Sequence, residues 1–174
     1  MISVNAGATT YTFDALGSRV TKTTGTTTVR YYFALAEKTN GSRTKALAGT
    51  PAGVVEWDNG TVLFKSNDHL GSPRVITNTS GTVVGRTDLY PYGEIWSQTG
   101  TQTKYKLTGK ERDDESGLDY FGVRYYDSTV AKWLSPDSVT HHAHDPQSLN
   151  KYAYARNDPV NLIDPDGREW LDPY

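Results

Sequence analysis

At 174 residues the chain is long enough for one domain, or for one piece of a repetitive structure, yet hydrophobic residues are only 36% against the ~45–50% of an ordinary globular chain. A net charge of −2 argues against a basic nucleic-acid-binding field, zero Cys excludes a disulfide scaffold, a cysteine zinc site and a thiol nucleophile, and no apolar run approaches the ~18–20 residues of a membrane span. With 12 Tyr and 4 Trp against 4 Phe and 1 Met, the chain is apolar mainly through rings with polar tips, which suits half-wet sheet surfaces.

The start, Met1 to Asn5, has no basic n-region and no apolar h-region, so no signal peptide is expected there. Tyr11 to Asp14, Arg19 to Thr23 and Thr28 to Phe33 alternate ring or aliphatic with polar residues, separated by Gly17 and Gly25; they predict antiparallel strands with one drier face. Residues 37–50 read as an exposed loop, with a tight turn at Asn40-Gly41. Gly53 to Trp57 and Thr61 to Phe64 flank Asp58-Asn59-Gly60, a hairpin signal, and Val75 to Thr77 and Thr82 to Val84 flank a second turn. The polar stretch 97–104 reads as a loop outside the packed layers. Residues 138–147 read as a second polar loop. Ser148 to Arg156 predicts one short helix, capped by Ser148, with Leu149, Tyr152 and Ala153 on one face and Asn157-Asp158-Pro159 ending it.

A degenerate repeat runs through this pattern. Tyr11-x-Phe13-Asp14-x-x-Gly17-x-Arg19 is echoed by Asp68-His69-Leu70-Gly71-Ser72-Pro73-Arg74, and more loosely by Asp88 to Glu94. The physical reading is a strand ending in an Asp-led turn whose glycine supplies a positive φ. Neighbouring units stack into a long, ring-lined sheet.

Together these segments resemble the Rhs family, also called YD-repeat proteins. Tyr11 to Val20 is similar to one YD repeat. The stretch from Asp68 to Gly167 resembles the Rhs repeat-associated core domain, through seven blocks in the family's order. These are Asp68 to Arg74, Tyr90 to Glu94, Thr108 to Asp113, Ser116 to Asp127, Trp133 to Asp137, Ser148 to Tyr154 with Asn157-Asp158-Pro159, and Asp164-Pro165-Asp166-Gly167. The resemblance implies a mainly β fold: a curved, spiralling antiparallel sheet of hairpins forming a shell segment, with the one short helix near the C-terminus. It divides the chain into YD-repeat-like strands (1–66), the core domain (67–167) and a tail (168–174) leading to a variable region. It further implies a shell that encloses a C-terminal toxin, as in Tc-toxin C subunits and teneurins, and a core domain that closes the shell and cuts the chain before the toxin.

The cut in the family resembles aspartyl proteolysis in cis, which needs two carboxylates sharing a proton. By the resemblance the pair is Asp137 and Asp164, with Asp166 as competitor and Arg156 orienting or balancing a carboxylate. The plainer reading is that each Asp caps a turn. His141, His142 and His144 with Asp145 read as a solvated loop rather than a metal site, His69 as a packed or turn-stabilising residue, and the charge run Lys110 to Glu115 as structural. Tyr120, Phe121, Tyr125 and Tyr126 read as sheet packing rather than a sugar platform. No serine has a Gly-x-Ser-x-Gly setting, and no P-loop or dinucleotide motif is present. No cofactor and no metal are therefore expected.

The expected partners are the rest of the parent shell and its toxin segment, together with delivery machinery or a cell-surface partner, and no nucleic acid. The expected location is secreted or cell-surface as part of a larger bacterial protein. A second reading is an interaction module that binds glycan or protein through an aromatic sheet without catalysis. A third is a gene fragment whose open sheet edges invite association. Two readings of the tail stay open: Asp172-Pro173 begins a further turn cut short, or Tyr174 is the end left by cleavage.

Overall fold

The computed structural model describes residues 2–4, 9–32, 35–50, 53–138 and 146–173. Eleven strands pair in strict chain order into one antiparallel sheet. They are β1 (Ile2–Val4), β2 (Thr9–Phe13), β3 (Arg19–Thr24), β4 (Thr27–Tyr32), β5 (Ala36–Thr39), β6 (Arg43–Thr50), β7 (Gly53–Asp58), β8 (Thr61–Asn67), β9 (Pro73–Asn78), β10 (Val83–Leu89) and β11 (Ile95–Gly100). Four short strands, β12 (Glu111–Asp113), β13 (Leu118–Tyr120), β14 (Tyr125–Asp127) and β15 (Lys132–Trp133), make a second antiparallel sheet.

The repeat has a physical basis. The Asp14 carboxylate accepts the N–H groups of Leu16 and Ser18, both at 2.9 Å. Asp68 accepts those of Leu70 and Ser72 at 3.0 and 2.9 Å. Gly17 and Gly71 take the positive φ that closes each turn, at 86° and 89°. Asn78 builds the same turn on Ser80 and Thr82, a unit the Asp pattern did not show. In the looser echo the turn starts at Tyr90, whose N–H donates to the Glu94 carbonyl, so Asp88 stays within β10.

Strand periodicity sorts the large sheet's faces, and the sorting is unusual. On β7 and β8 the buried residues are Glu56 and Lys65, while Trp57 and Phe64 remain 40% and 41% exposed. The buried face is charged because its groups find matching partners, some on neighbouring strands of the same sheet and others from the C-terminal part. The Arg19 guanidinium lies between the rings of Tyr11 and Tyr120, 4.4 and 4.1 Å from their centroids, and forks onto Asp113 at 2.8 and 2.6 Å. Lys22 reaches Asp113 and Glu115, Tyr11 donates to Glu115, Tyr31 donates to Glu111, and Tyr105 donates to Glu37. Lys104 bridges Glu37 and Glu111, and Lys65 pairs with Glu56. Within the charge run Lys110 to Glu115, Glu111 and Asp113 are buried and paired rather than solvated.

The apolar core is small and aromatic. Phe121, Tyr126, Trp133 and Tyr154 pack with Leu107 and Ala155, their ring centroids 4.9–5.9 Å apart. Such ring pairs add about 0.5–1.5 kcal/mol each beyond the area they bury.

Three expected elements differ. Residues 37–50 are two strands, not a loop; the Asn40-Gly41 turn is present, but the flanking Thr and Lys residues alternate and pair, Glu37 with Lys45 and Thr39 with Arg43. Residues 97–100 belong to edge strand β11, because β10 offers a ladder to polar residues whose side chains stay in solvent. Residues 148–156 do not form a helix. Two single 3-10 turns, Pro146–Leu149 and Ala155–Asn157, lie there instead. The Asn150 side chain accepts the Tyr152 N–H, Ala153 bridges to Lys132, and Ala155, Arg156 and Asn157 all take positive φ. Local and cross-chain hydrogen bonds thus outcompete a helix of modest propensity.

Candidate functional site

Asp137 follows Ser135-Pro136 beyond β15, and its backbone N–H donates to the Lys151 carbonyl at 3.0 Å. Asp164 opens the Asp-Pro-Asp-Gly turn and gathers it: one carboxylate oxygen accepts the N–H groups of Gly167, Arg168 and Asp166 at 2.7, 3.1 and 3.3 Å. The turn needs glycine at 167, where φ is +80° and a Cβ would lie 3.2 Å from the Arg124 backbone nitrogen.

The two carboxylates meet on one cation. The Arg124 Nη2 atom contacts Asp137 at 2.9 Å and Asp164 at 3.1 Å, and all three side chains are less than a tenth exposed. Arg124 also donates through Nε to the Gly167 carbonyl and stacks on the Trp133 ring at 4.1 Å. Burial pushes the Asp164 carboxyl above the usual carboxylate range, against the opposing pull of the Gly167 N–H and the Arg124 charge. A pocket of about 20 Å³ opens at this point, walled by Arg124, Trp133, Asp137, Arg156, Asp164 and Trp170 among others. That is room for about one water molecule, and the walls offer polar partners for it.

All three residues singled out from the sequence line this pocket. Asp137 and Asp164 come together through Arg124, and Arg156 stacks on Trp170 at 4.6 Å. The competitor Asp166 lies more than half exposed and its side chain salt-bridges Arg168. Arg124, Trp133 and Trp170 had no role assigned from sequence. Arg124 lay in the Ser116 to Asp127 block, but nothing in that run of rings distinguishes its guanidinium from an exposed strand charge. His141, His142, His144 and Asp145 lie outside the described residues. His69 is a turn residue whose Nε2 contacts the Val160 carbonyl at 2.9 Å. Phe121 and Tyr126 are core, and Tyr120 and Tyr125 flank Arg19, so these rings pack sheets together. No helix among the described residues is long and apolar enough to cross a membrane.

Known proteins share this arrangement of strands. The chain aligns at 34% identity over 134 residues with toxin subunit YenC2 of Yersinia entomophaga, covering 72% of this chain and 13% of that protein. It aligns at 28% identity over 186 residues with tRNA nuclease WapA of Bacillus subtilis, covering 93% of this chain and 8% of the relative. Among solved structures, the crystal structure of TcdB2-TccC3 superposes with a TM-score of 0.77 at 25% identity, over 96% of this chain and 10% of that one. The Photorhabdus luminescens Tc holotoxin pore superposes with a TM-score of 0.74 at 24% identity. The chain thus spans about a tenth of the length of these relatives. The Teneurin YD-shell model matches residues 54–160, more than half of the chain and most of the aromatic core, and the chain therefore belongs to the Teneurin YD-shell family.

Proposed function

We propose that this YD-shell segment closes the shell of a longer protein and cuts that protein in cis, next to the pocket, to release a C-terminal toxin segment. The observation that carries the reading is the placement of Asp137 and Asp164 on a single guanidinium nitrogen beside a water-sized pocket. In this reading Asp137 takes a proton from a water, whose oxygen attacks the carbonyl carbon of the scissile peptide. Asp164, the carboxyl that burial disposes to hold a proton, gives that proton to the leaving nitrogen as the C–N bond breaks. The products are one new carboxylate and one new amine. Arg124 keeps the carboxylates together and offsets their charge, while Arg156 and Trp170 wall the pocket.

The relatives' names, a toxin subunit in one case and a tRNA nuclease in another, fit a common shell that carries different C-terminal activities. Secretion or display at the cell surface follows from that role, and delivery machinery or a surface receptor is the further partner. We retain the division into YD-repeat strands (1–66), core domain (67–167) and tail (168–174) as one of sequence pattern; the sheet itself continues from β8 to β9 across the first boundary.

The test extends the chain past Tyr174 with a reporter segment and takes intact masses of the wild type and of Asp164→Asn. Cleavage in the wild type alone supports the reading. A folded wild type that stays whole rejects it in favour of a shell piece without catalysis.

A further inference from the structure

Three consecutive carbonyls of the turn that carries Asp164 are held from the small sheet's side. Lys110 Nζ donates to the Pro165 carbonyl, the Val123 N–H to that of Asp166 at 3.3 Å, and Arg124 Nε to that of Gly167. Val123 uses its backbone, and Arg124 is already committed to both carboxylates. Lys110 is therefore the side chain that can be removed while the Asp137–Arg124–Asp164 bridge is left intact. Its own backbone is fixed by the Lys110 N–H to the Leu107 carbonyl at 2.9 Å and by the Lys106 N–H to the Lys110 carbonyl at 2.8 Å. Its ammonium lies 5.5 Å from the Phe121 ring centroid, against the aromatic core.

We propose that Lys110 is a positioning residue for this site: it fixes the Asp164 turn through the Pro165 carbonyl and places a positive charge behind the Asp164 carboxylate. The inference rests on the autoproteolytic reading for its consequence, but not for its geometry. Four charged or titratable side chains face Asp164: Arg124 from the segment before β14, Asp166 from its own turn, the Tyr154 hydroxyl from the core, and Lys110 from the segment before β12. Asp137 adds its charge across Arg124. Burial draws the Lys110 ammonium down, and the Asp164 and Asp166 carboxylates oppose that pull. Removing the ammonium takes away one of the two cations near Asp164; Arg124 and the Gly167 N–H still favour the carboxylate, but burial and the Asp166 charge, which favour the protonated form, meet less opposition.

Two readouts test this. In the extended chain, Lys110→Met slows self-cleavage at least about tenfold, because a displaced catalytic turn is costly, and shifts the pH–rate profile upward; Lys110→Arg restores both. In the 174-residue chain, the carboxyl carbon of Asp164, followed by NMR, titrates at higher pH in Lys110→Met than in the wild type. If Lys110→Met loses the fold by circular dichroism, Lys110→Gln replaces it in both measurements. An unchanged rate with an unchanged profile, or an unmoved Asp164 midpoint, overturns the proposal. A wild-type chain that never cuts removes the autoproteolytic reading alone, and the NMR midpoint still decides whether Lys110 acts on Asp164.

Discussion

Replacing Asp113 by Asn removes a charge and keeps the shape. Asp113 is fully buried, accepts two bonds from Arg19 at 2.8 and 2.6 Å, and takes Lys22 at 2.9 Å. Breaking a buried pair from one side costs about 3–5 kcal/mol, because the remaining charge is left uncompensated. Arg19 still has Glu111 at 3.5 Å, which places the expected loss near 3 kcal/mol, at the lower end of that range. For a chain of this size that is a fall of about 6–12 °C in the melting temperature, at roughly 2–4 °C per kcal/mol. Thermal melts followed by near-ultraviolet circular dichroism read the tyrosines around Arg19 directly. The double change Arg19→Met with Asp113→Leu recovers part of the loss, since an apolar pair of similar volume replaces the two buried charges while Lys22 keeps Glu115 and Glu111 keeps Lys104. A single Asp113→Asn variant that melts within about 1 °C of the wild type would refute the claim that this cluster holds the hairpin β2–β3 to the small sheet.

Trp133→Ala empties the centre of the aromatic core, where its ring lies 5.0 Å from Phe121 and 5.4 Å from Tyr126; a loss of about 3–5 kcal/mol in urea unfolding is expected, together with a slower cut in the extended chain, because Arg124 loses its platform. Gly85→Ala would put a Cβ 1.9 Å from the Thr101 carbonyl oxygen, so the β10–β11 edge must shift, and hydrogen exchange at β11 amides is expected to accelerate while β12–β15 amides keep their protection. Asp119, paired with Arg112 at 2.6 Å, is pushed up to about 6 by burial against the pull of that arginine. Its folded midpoint lies above the unfolded one, so the native chain binds more protons between the ordinary 3.8 and about 6, and this residue's contribution to stability falls as pH rises through that window. A carboxyl-carbon titration that places Asp119 near 4 contradicts the burial argument.

Much of the fold was legible because hairpin chemistry is local. Asp14, Asp68 and their glycines marked turns from sequence alone, and the alternating runs between them gave the strands. Where the reading went astray, a non-local partner decided. Residues 37–45 and 97–100 are polar on both sides, so no hydrophobic alternation distinguishes strand from loop until a neighbouring strand supplies the ladder. The expected helix failed because Asn150 and Ala153 found bonds elsewhere. At the site, Asp137, Asp164 and Arg156 were visible through turn motifs and the family resemblance. Arg124 was not, because its role depends on a contact with Asp164 forty residues away along the chain. The charged inner face was likewise hidden: a buried Lys65 or Arg19 looks, in sequence, like any surface cation on an alternating strand.

In the function proposed above, the Asp137–Arg124–Asp164 cluster cuts the chain that carries it. The most direct measurement is the rate of self-cleavage of the extended chain, in water enriched in oxygen-18, over a wide range of protein concentration. Cutting in cis by an activated water predicts a first-order rate that does not change with concentration, heavy oxygen in the new C-terminal carboxylate, and loss of cleavage in both Asp137→Asn and Asp164→Asn. Cleavage that persists in either variant, or a rate that rises with concentration, would contradict it.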